Sequence, residues 1–321
     1  MIDICMVIGG LVGLFFGGEG LIRGAVSLAK RFGLSSLLVS AVVVGFGTSM
    51  PEMTVSVGAA LKGASDIAIG NVVGSNIANI LLIVGVAVLF APILTDKMAV
   101  RRDTIVMLVS GVVLCGLAQN GVIHFSAGIC MFSGLVAYIV WSYHQDKKNS
   151  AATARHIEED MAGAGQIGMP LAVFYSVAGL GLLIGSAYIL VEGAVSIARG
   201  FGISEAVIGL TIVAIGTSLP ELATAVVAAC RKHTDVIIGN ILGSNIFNVL
   251  SILGVTSMIA PIPIAEHIAH KDVWIMLGAS VFLSVYLFGG FKIGRGSGLA
   301  MLGAYIIYMV WLYVNGMTAS I

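Results

Sequence analysis

Two stretches decide how this chain is built: GTSMPE at 47–52 with GNVVGSNIAN at 70–79, and GTSLPE at 216–221 with GNILGSNIFN at 239–248. The second pair lies on the first at a shift of 169 positions without a gap, and about half of the positions between 45 and 86 are identical to their counterparts. Outer landmarks keep the same shift, among them Ser27 with Ser196, Phe32 with Phe201, Pro92 with Pro261 and Asp103 with Asp272. The chain is therefore an internal duplication, and each reading of one half has to hold for the other.

Composition supplies the solvent. Of 321 residues 58% are hydrophobic and 10% charged, against roughly 25% charged residues in soluble domains. A bilayer crossing takes about 20 apolar residues, and apolar runs fall at about 4–29, 35–61, 67–92, 104–118, 122–143, 170–198, 204–230, 236–260, 273–289 and 298–316. This predicts an all-α membrane protein with ten transmembrane helices. The one long polar stretch, 144–169, splits them into a first five-helix unit at 1–143 and a second at 170–321. Because each half has an odd number of spans, the halves enter the membrane from opposite sides, giving two inverted five-helix repeats.

Charge placement sets the orientation. Sixteen basic and sixteen acidic residues cancel, which removes the positive field of a nucleic-acid binder. With the N-terminus outside, Lys30, Arg31, Lys97, Arg101, Arg102, Lys147, Lys148, Arg155, Arg231, Lys232, Lys292 and Arg295 fall on the cytoplasmic side, while Lys62, Arg199 and Lys271 face out. Lysine and arginine concentrate in cytoplasmic loops, so both termini are expected to be extracytoplasmic and the linker cytoplasmic. Cys5, Cys115, Cys130 and Cys230 lie in or beside apolar stretches without metal-ligand spacing and read as packed thiols. Asp3 and the lack of a basic leader make the first stretch a span rather than a cleaved signal.

The chemistry lies in the repeated motifs. Glu52 and Glu221 fall near the middle of the second and seventh spans, where a charge costs about 3 kcal/mol on insertion scales. Each follows Gly-Thr-Ser-x-Pro. Proline removes a backbone donor and disrupts the turn before it, which frees carbonyls around Gly45 and Ala214. A kink that served packing alone would not pair itself with an acid twice at matching depth. In the third and eighth spans Ser75 and Asn79, and again Ser244 and Asn248, are four apart and share one helix face. The neighbouring glycines let that face approach the kinked helix.

All of these groups offer oxygen: two carboxylates, the hydroxyls of Thr48, Ser49, Ser75, Thr217, Ser218 and Ser244, the amides of Asn79 and Asn248, and the loosened carbonyls. Hard cations prefer such ligands, Ca2+ taking about six to eight of them. Two fixed negative charges balance one Ca2+ or are shared among several Na+ ions, so the two ions compete. Competition at one midplane site exposed alternately to either side is antiport. A channel with the two glutamates as a selectivity ring would use the same oxygens but needs a continuous pore. An intramembrane enzyme finds no nucleophile or metal triad beside the acids. No cofactor is called for, and the expected partners are Ca2+, Na+ and the lipid bilayer, with no nucleic acid and no required protein.

The duplicated GTS-x-PE and GN-x-x-GSN-x-x-N elements resemble the two alpha repeats of the calcium/cation antiporter superfamily, specifically its sodium/calcium exchanger branch with the bacterial YrbG-like members. The likeness covers essentially the whole chain, with alpha motifs at 45–86 and 214–255. It implies the ten-helix inverted-repeat fold, a bacterial inner-membrane location and electrogenic exchange of several Na+ for one Ca2+. By motif position it implies that Glu52, Glu221, Thr48 and Thr217 bind calcium. The carbonyls of Gly45 and Ala214 would join Ser49, Ser75, Ser218 and Ser244 at flanking sodium positions, with Asn79 and Asn248 completing the centre. Potassium-dependent relatives carry an aspartate at the position of Asn248, so the asparagine implies K+ independence. Proton-coupled relatives replace part of the GSN element with an acidic motif absent here, which leaves H+/Ca2+ exchange as the second reading.

Lesser features have ordinary explanations. Glu19 and Arg23 are four apart and can pair along the first span, and Glu192 aligns with Arg23 in the sixth. Asp66, Asp235, Asp103 and Asp272 are expected to be helix N-caps. Glu158, Glu159 and Asp160 lack EF-hand spacing and read as a solvated run.

Overall fold

The computed structural model describes residues 2–94, 96–148, 167–201 and 214–318. In chain order the helices are α1 (Ile2–Phe32), α2 (Ser36–Thr48), α3 (Met50–Leu61), α4 (Ser65–Phe90), α5 (Lys97–Gln119), α6 (Phe125–Lys148), α7 (Met169–Gly200), α8 (Ala214–Gly216), α9 (Leu219–Cys230), α10 (Thr234–Ile259), α11 (Ile268–Gly289) and α12 (Arg295–Thr318). Among the described residues seven are long and apolar enough to cross a membrane, eight when α2 and α3 count as one bent span. The protein is thus an all-helical, multi-pass membrane protein.

The other expected crossings differ for stated reasons. The run at 104–118 is the apolar part of α5, a helix that begins seven residues earlier and carries Lys97, Arg101, Arg102 and Asp103 in its first two turns. The run at 204–230 is described from residue 214 onward, as α8 and α9; residues 202–213 lie outside the described residues, as do 149–166 with Glu158, Glu159 and Asp160. The run at 35–61 is bent by 44° between α2 and α3. Ser49 leaves helical geometry there (φ −84°, ψ 5°), and Pro51 occupies the first turn of α3, where a missing N–H costs nothing.

The duplication is visible in backbone geometry. Met50–Leu61 and Leu219–Cys230 are both 12-residue helices that start after a serine and carry proline in the first turn. Ser65–Ala78 recurs as Thr234–Phe247, and the π-helical turn Asn79–Val84 recurs as Asn248–Leu253. Such turns widen a helix locally and cluster at functional sites.

α1 and α7 form a long antiparallel pair in which Gly17 meets the Leu183 backbone and Gly10 meets Leu190. A Cβ at Gly17 would stand 2.8 Å from the Leu183 nitrogen, so a side chain there would prise the helices apart. α4 and α10 form the centre, α10 wholly buried and α4 mostly so. The halves interlock: Ile93, just after α4, bridges Ile293 before α12, while Ile262, just after α10, pairs with Ile123 before α6.

Several side chains sit differently from expectation. Asp66 and Asp235 lie inside the first turns of α4 and α10, after Ala64 and His233 at the cap positions; their charge meets the helix dipole instead. Asp103 is buried within α5 and paired with Arg102 at 2.6 Å, and Asp96 is the residue that caps α5. Asp272 makes no cap hydrogen bond and accepts the Tyr308 hydroxyl at 3.2 Å. Cys115 is buried, whereas Cys5, Cys130 and Cys230 are exposed, because lipid tails are as apolar a neighbour as a core leucine.

Candidate functional site

The bend after α2 puts Glu52 in the first turn of α3, and the same construction puts Glu221 in the first turn of α9. Both acids are buried. A carboxylate there gains from the positive end of its own half-helix, while the carbonyl end of α2 offers negative charge to the space between them.

The two halves complete each other. Ser49, from the first half, donates its hydroxyl to Glu221 Oε1 at 2.9 Å, and Ser218, from the second, donates to Glu52 Oε1 at 3.1 Å. Thr217 lies beside Glu52, and Thr48 and Ser244 beside Glu221. The carboxylates are within electrostatic reach of each other. The amides repeat the exchange: Asn79 Nδ2 donates to Asn245 Oδ1 at 3.1 Å, and Asn248 Nδ2 to Asn76 Oδ1 at 3.0 Å. A further bond runs from Asn76 Nδ2 to the Asn245 carbonyl at 3.4 Å.

What remains unsatisfied is telling. Among the described residues, Glu52 Oε2, Glu221 Oε2, Asn79 Oδ1, Asn248 Oδ1 and Thr217 Oγ1 are buried and have no hydrogen-bond partner. Four of these five are acceptor-only oxygens, paired across the duplication. A buried acceptor without a donor loses its desolvation energy uncompensated, and a hard cation satisfies several such oxygens at once.

The remaining expected residues fall around this centre. Ser75 is buried one turn before Asn79. The Gly45 carbonyl is not left free by the kink, because it accepts the Ser49 amide at 3.1 Å and the Ser244 hydroxyl at 3.3 Å. The proline lies four residues after Gly47, so Gly47 is the residue whose carbonyl loses its helical donor. Ala214 opens α8, directly after the undescribed segment.

Four asparagines do more than sequence reasoning assigned them. Asn76 and Asn245 carry the bonds between halves. Asn71 donates to the Glu52 carbonyl at 3.1 Å and to Ser56 Oγ at 3.0 Å, holding α3 against α4. Asn240 Oδ1 accepts Thr48 Oγ1 at 3.3 Å, but among the described residues its Nδ2 has no partner. The repeat counterpart of Ser56 is Ala225, which has no hydroxyl to offer. The signal for all four was their repetition at the 169-residue shift. Asn71 even lies four residues before Ser75, on the same face, whereas Asn76 is turned by one residue from it.

Comparison with known proteins gives a concordant result. The family profile described as "Sodium/calcium exchanger protein" matches residues 2–144 and 171–314, one match in each half. The sodium/calcium exchanger MaX1 of Methanosarcina acetivorans is 32% identical over 97% of this chain and 99% of its own length. The inner membrane protein YrbG of Escherichia coli K12 is 32% identical over 98% of this chain and 97% of its own. A solved structure of the sodium-calcium exchanger NCX_Mj, soaked with zero Na+ and Ca2+, superposes with a TM-score of 0.83 at 28% identity, covering 97% of this chain and 99% of that one.

Proposed function

The chain belongs to the sodium/calcium exchanger family, a family of cation antiporters and not of enzymes, and from that premise we propose that it exchanges several Na+ for one Ca2+ at a single buried site. The exchange is electrogenic, K+-independent and performed by alternating access. The observation that supports this most directly is the reciprocal pairing of Ser49 with Glu221 and Ser218 with Glu52, which leaves one oxygen of each carboxylate turned to no donor. In this reading Glu52 and Glu221 take the divalent ion together with Thr48 and Thr217. Ser49, Ser75, Ser218 and Ser244 bind sodium at the flanks with the backbone of Gly45 and Ala214, and Asn79 and Asn248 close the centre.

Calcium carries two positive charges and meets two carboxylates. Sodium ions entering from the flanks draw the same carboxylates and hydroxyls, so loading one cargo weakens the hold on the other. Asn248 adds no third charge, which removes the electrostatic demand for a potassium ion. The architecture proposed with this function is ten helices in two inverted repeats, 1–143 and 170–321, joined by a cytoplasmic linker at 144–169. Both termini are extracytoplasmic, in a bacterial inner membrane.

The test is 45Ca uptake into proteoliposomes under an imposed Na+ gradient, then under a pH gradient alone, with and without K+. Uptake that follows Na+ and ignores K+ is the expected result; uptake that follows only the pH gradient overturns the choice of counter-ion. Glu52→Gln and Glu221→Gln are each expected to abolish sodium-driven uptake while the protein inserts and folds. Native uptake in both removes the carboxylates from the site.

A further inference from the structure

Away from the buried acids, the molecule carries a second concentration of charge between α1, α7 and α9. Glu19 on α1 accepts Arg23 Nε at 2.7 Å through Oε1, and it accepts Arg231 through both oxygens, at 2.8 Å from Nη2 and 2.9 Å from Nε. One carboxylate thus faces two guanidinium groups. Both arginines are about half exposed, at 56% for Arg23 and 50% for Arg231, while Glu19 is mostly covered at 14%. They border a cavity of about 400 Å³ whose apolar wall includes Phe15, Phe16, Phe174 and Tyr175. Among the described residues the only charged groups lining it are Glu19, Arg23 and Arg231.

Position gives this arrangement its meaning. Arg231 is the C-cap of α9, in the short turn that leads to α10 at Thr234, so the cluster lies where the chain turns back. Phe16 and Phe174 are exposed on the surface that the apolar helices present to lipid. Glu19 is engaged in bidentate fashion by Arg231, which leaves Arg23 with one shared oxygen and the cavity with one net positive charge. A guanidinium at the edge of the hydrocarbon layer without a full partner is costly, and basic pockets between spans bind anionic headgroups.

We propose that this cavity binds an anionic phospholipid. Its phosphate is held by Arg23 and Arg231 at the rim, and its acyl chain lies along Phe15, Phe16 and Phe174. The headgroup supplies the missing negative charge in bidentate geometry that suits a guanidinium. The chain fills an apolar groove that water would occupy at a loss. Glu19 then tempers the site, offsetting one of the two positive charges that line the cavity.

The experiment is native mass spectrometry of the purified full chain titrated with phosphatidylglycerol, phosphatidylcholine or inorganic phosphate. The unaltered protein is expected to retain phosphatidylglycerol in preference to phosphatidylcholine. Arg23→Gln removes one positive charge and is expected to weaken that retention about fivefold, whereas Glu19→Gln raises the net charge and is expected to strengthen it about fivefold. The opposite signs separate a lipid site from a merely structural cluster, which both substitutions would loosen alike. Should Arg23→Gln fail to fold, the direction of the Glu19→Gln shift alone decides. Equal retention of the two lipids, shifts of the same sign, or full displacement of phosphatidylglycerol by inorganic phosphate each overturns the proposal.

Discussion

Replacing Gly243 by alanine tests the seam between α2 and α10 on which the site depends. A Cβ there would stand 2.5 Å from the Cα of Ala41 and 2.7 Å from its carbonyl carbon, and nearer still to its carbonyl oxygen. These are backbone atoms and cannot rotate away, so the helices must part by about 1 Å to recover contact at about 3.5 Å. The same seam holds Ser244 Oγ to the Gly45 carbonyl and Thr48 Oγ1 to Asn240 Oδ1, each at 3.3 Å. Both bonds stretch beyond useful length. Overpacking of this kind costs about 1–3 kcal/mol, and that cost falls on the arrangement in which α2 lies closed beside the site. Its population therefore drops roughly 5- to 150-fold, and sodium-driven 45Ca uptake per inserted molecule should drop with it. The control is Gly116, which is exposed on α5 and, among the described residues, has no atom within 4 Å of an added Cβ, so Gly116→Ala should change uptake less than about twofold. Native uptake in Gly243→Ala, or an equal loss in Gly116→Ala, refutes the reasoning.

Two further predictions concern the asparagines. Ala225→Ser supplies the hydroxyl that Asn71 finds in Ser56 and Asn240 lacks; it should stabilise the protein by about 1 kcal/mol, read as a rise of roughly 2 °C in Tm, and an unchanged or lower Tm defeats the argument. Asn248→Asp adds a third negative charge to the centre and removes the donor to Asn76. Calcium should half-saturate transport at about tenfold lower concentration, with altered K+ or pH dependence, and an unchanged calcium response sinks the role given to that position.

The legible part of the fold was what repeats or scales with length. Pro51 and Pro220 marked the starts of the two short helices that carry the acids, the 169-residue shift fixed which helices correspond, and most apolar runs ended within a few residues of their helices, α5 being longer than its run by seven residues. Charge near a helix end was harder to place. Asp103, at the edge of an apolar run, was expected to be a cap, yet α5 begins before it and Asp96 takes the cap. The limits of local reasoning are clearest at the site. A spacing of four brought Ser75 and Asn79 to one face, but which partner each side chain finds across the seam depends on the packing of α4 against α10. The pairings of Asn76 with Asn248 and Asn79 with Asn245 have no trace in either motif alone. Gly45 is a different case: a missing donor was expected to loosen its carbonyl, but Pro51 lies four residues after Gly47, so local spacing alone assigns that loss to Gly47.

The strand bridges at the rim govern the order in which the molecule can be assembled. Ile93 emerges early in synthesis but its partner Ile293 is made about 200 residues later, and contacts of such separation form late. The early half must wait in the membrane with its last seam ungathered until α12 arrives. A chain cut short before that helix would keep both carboxylates yet leave Ile93 without its bridge partner, and cellular quality control would meet it as an unfinished object.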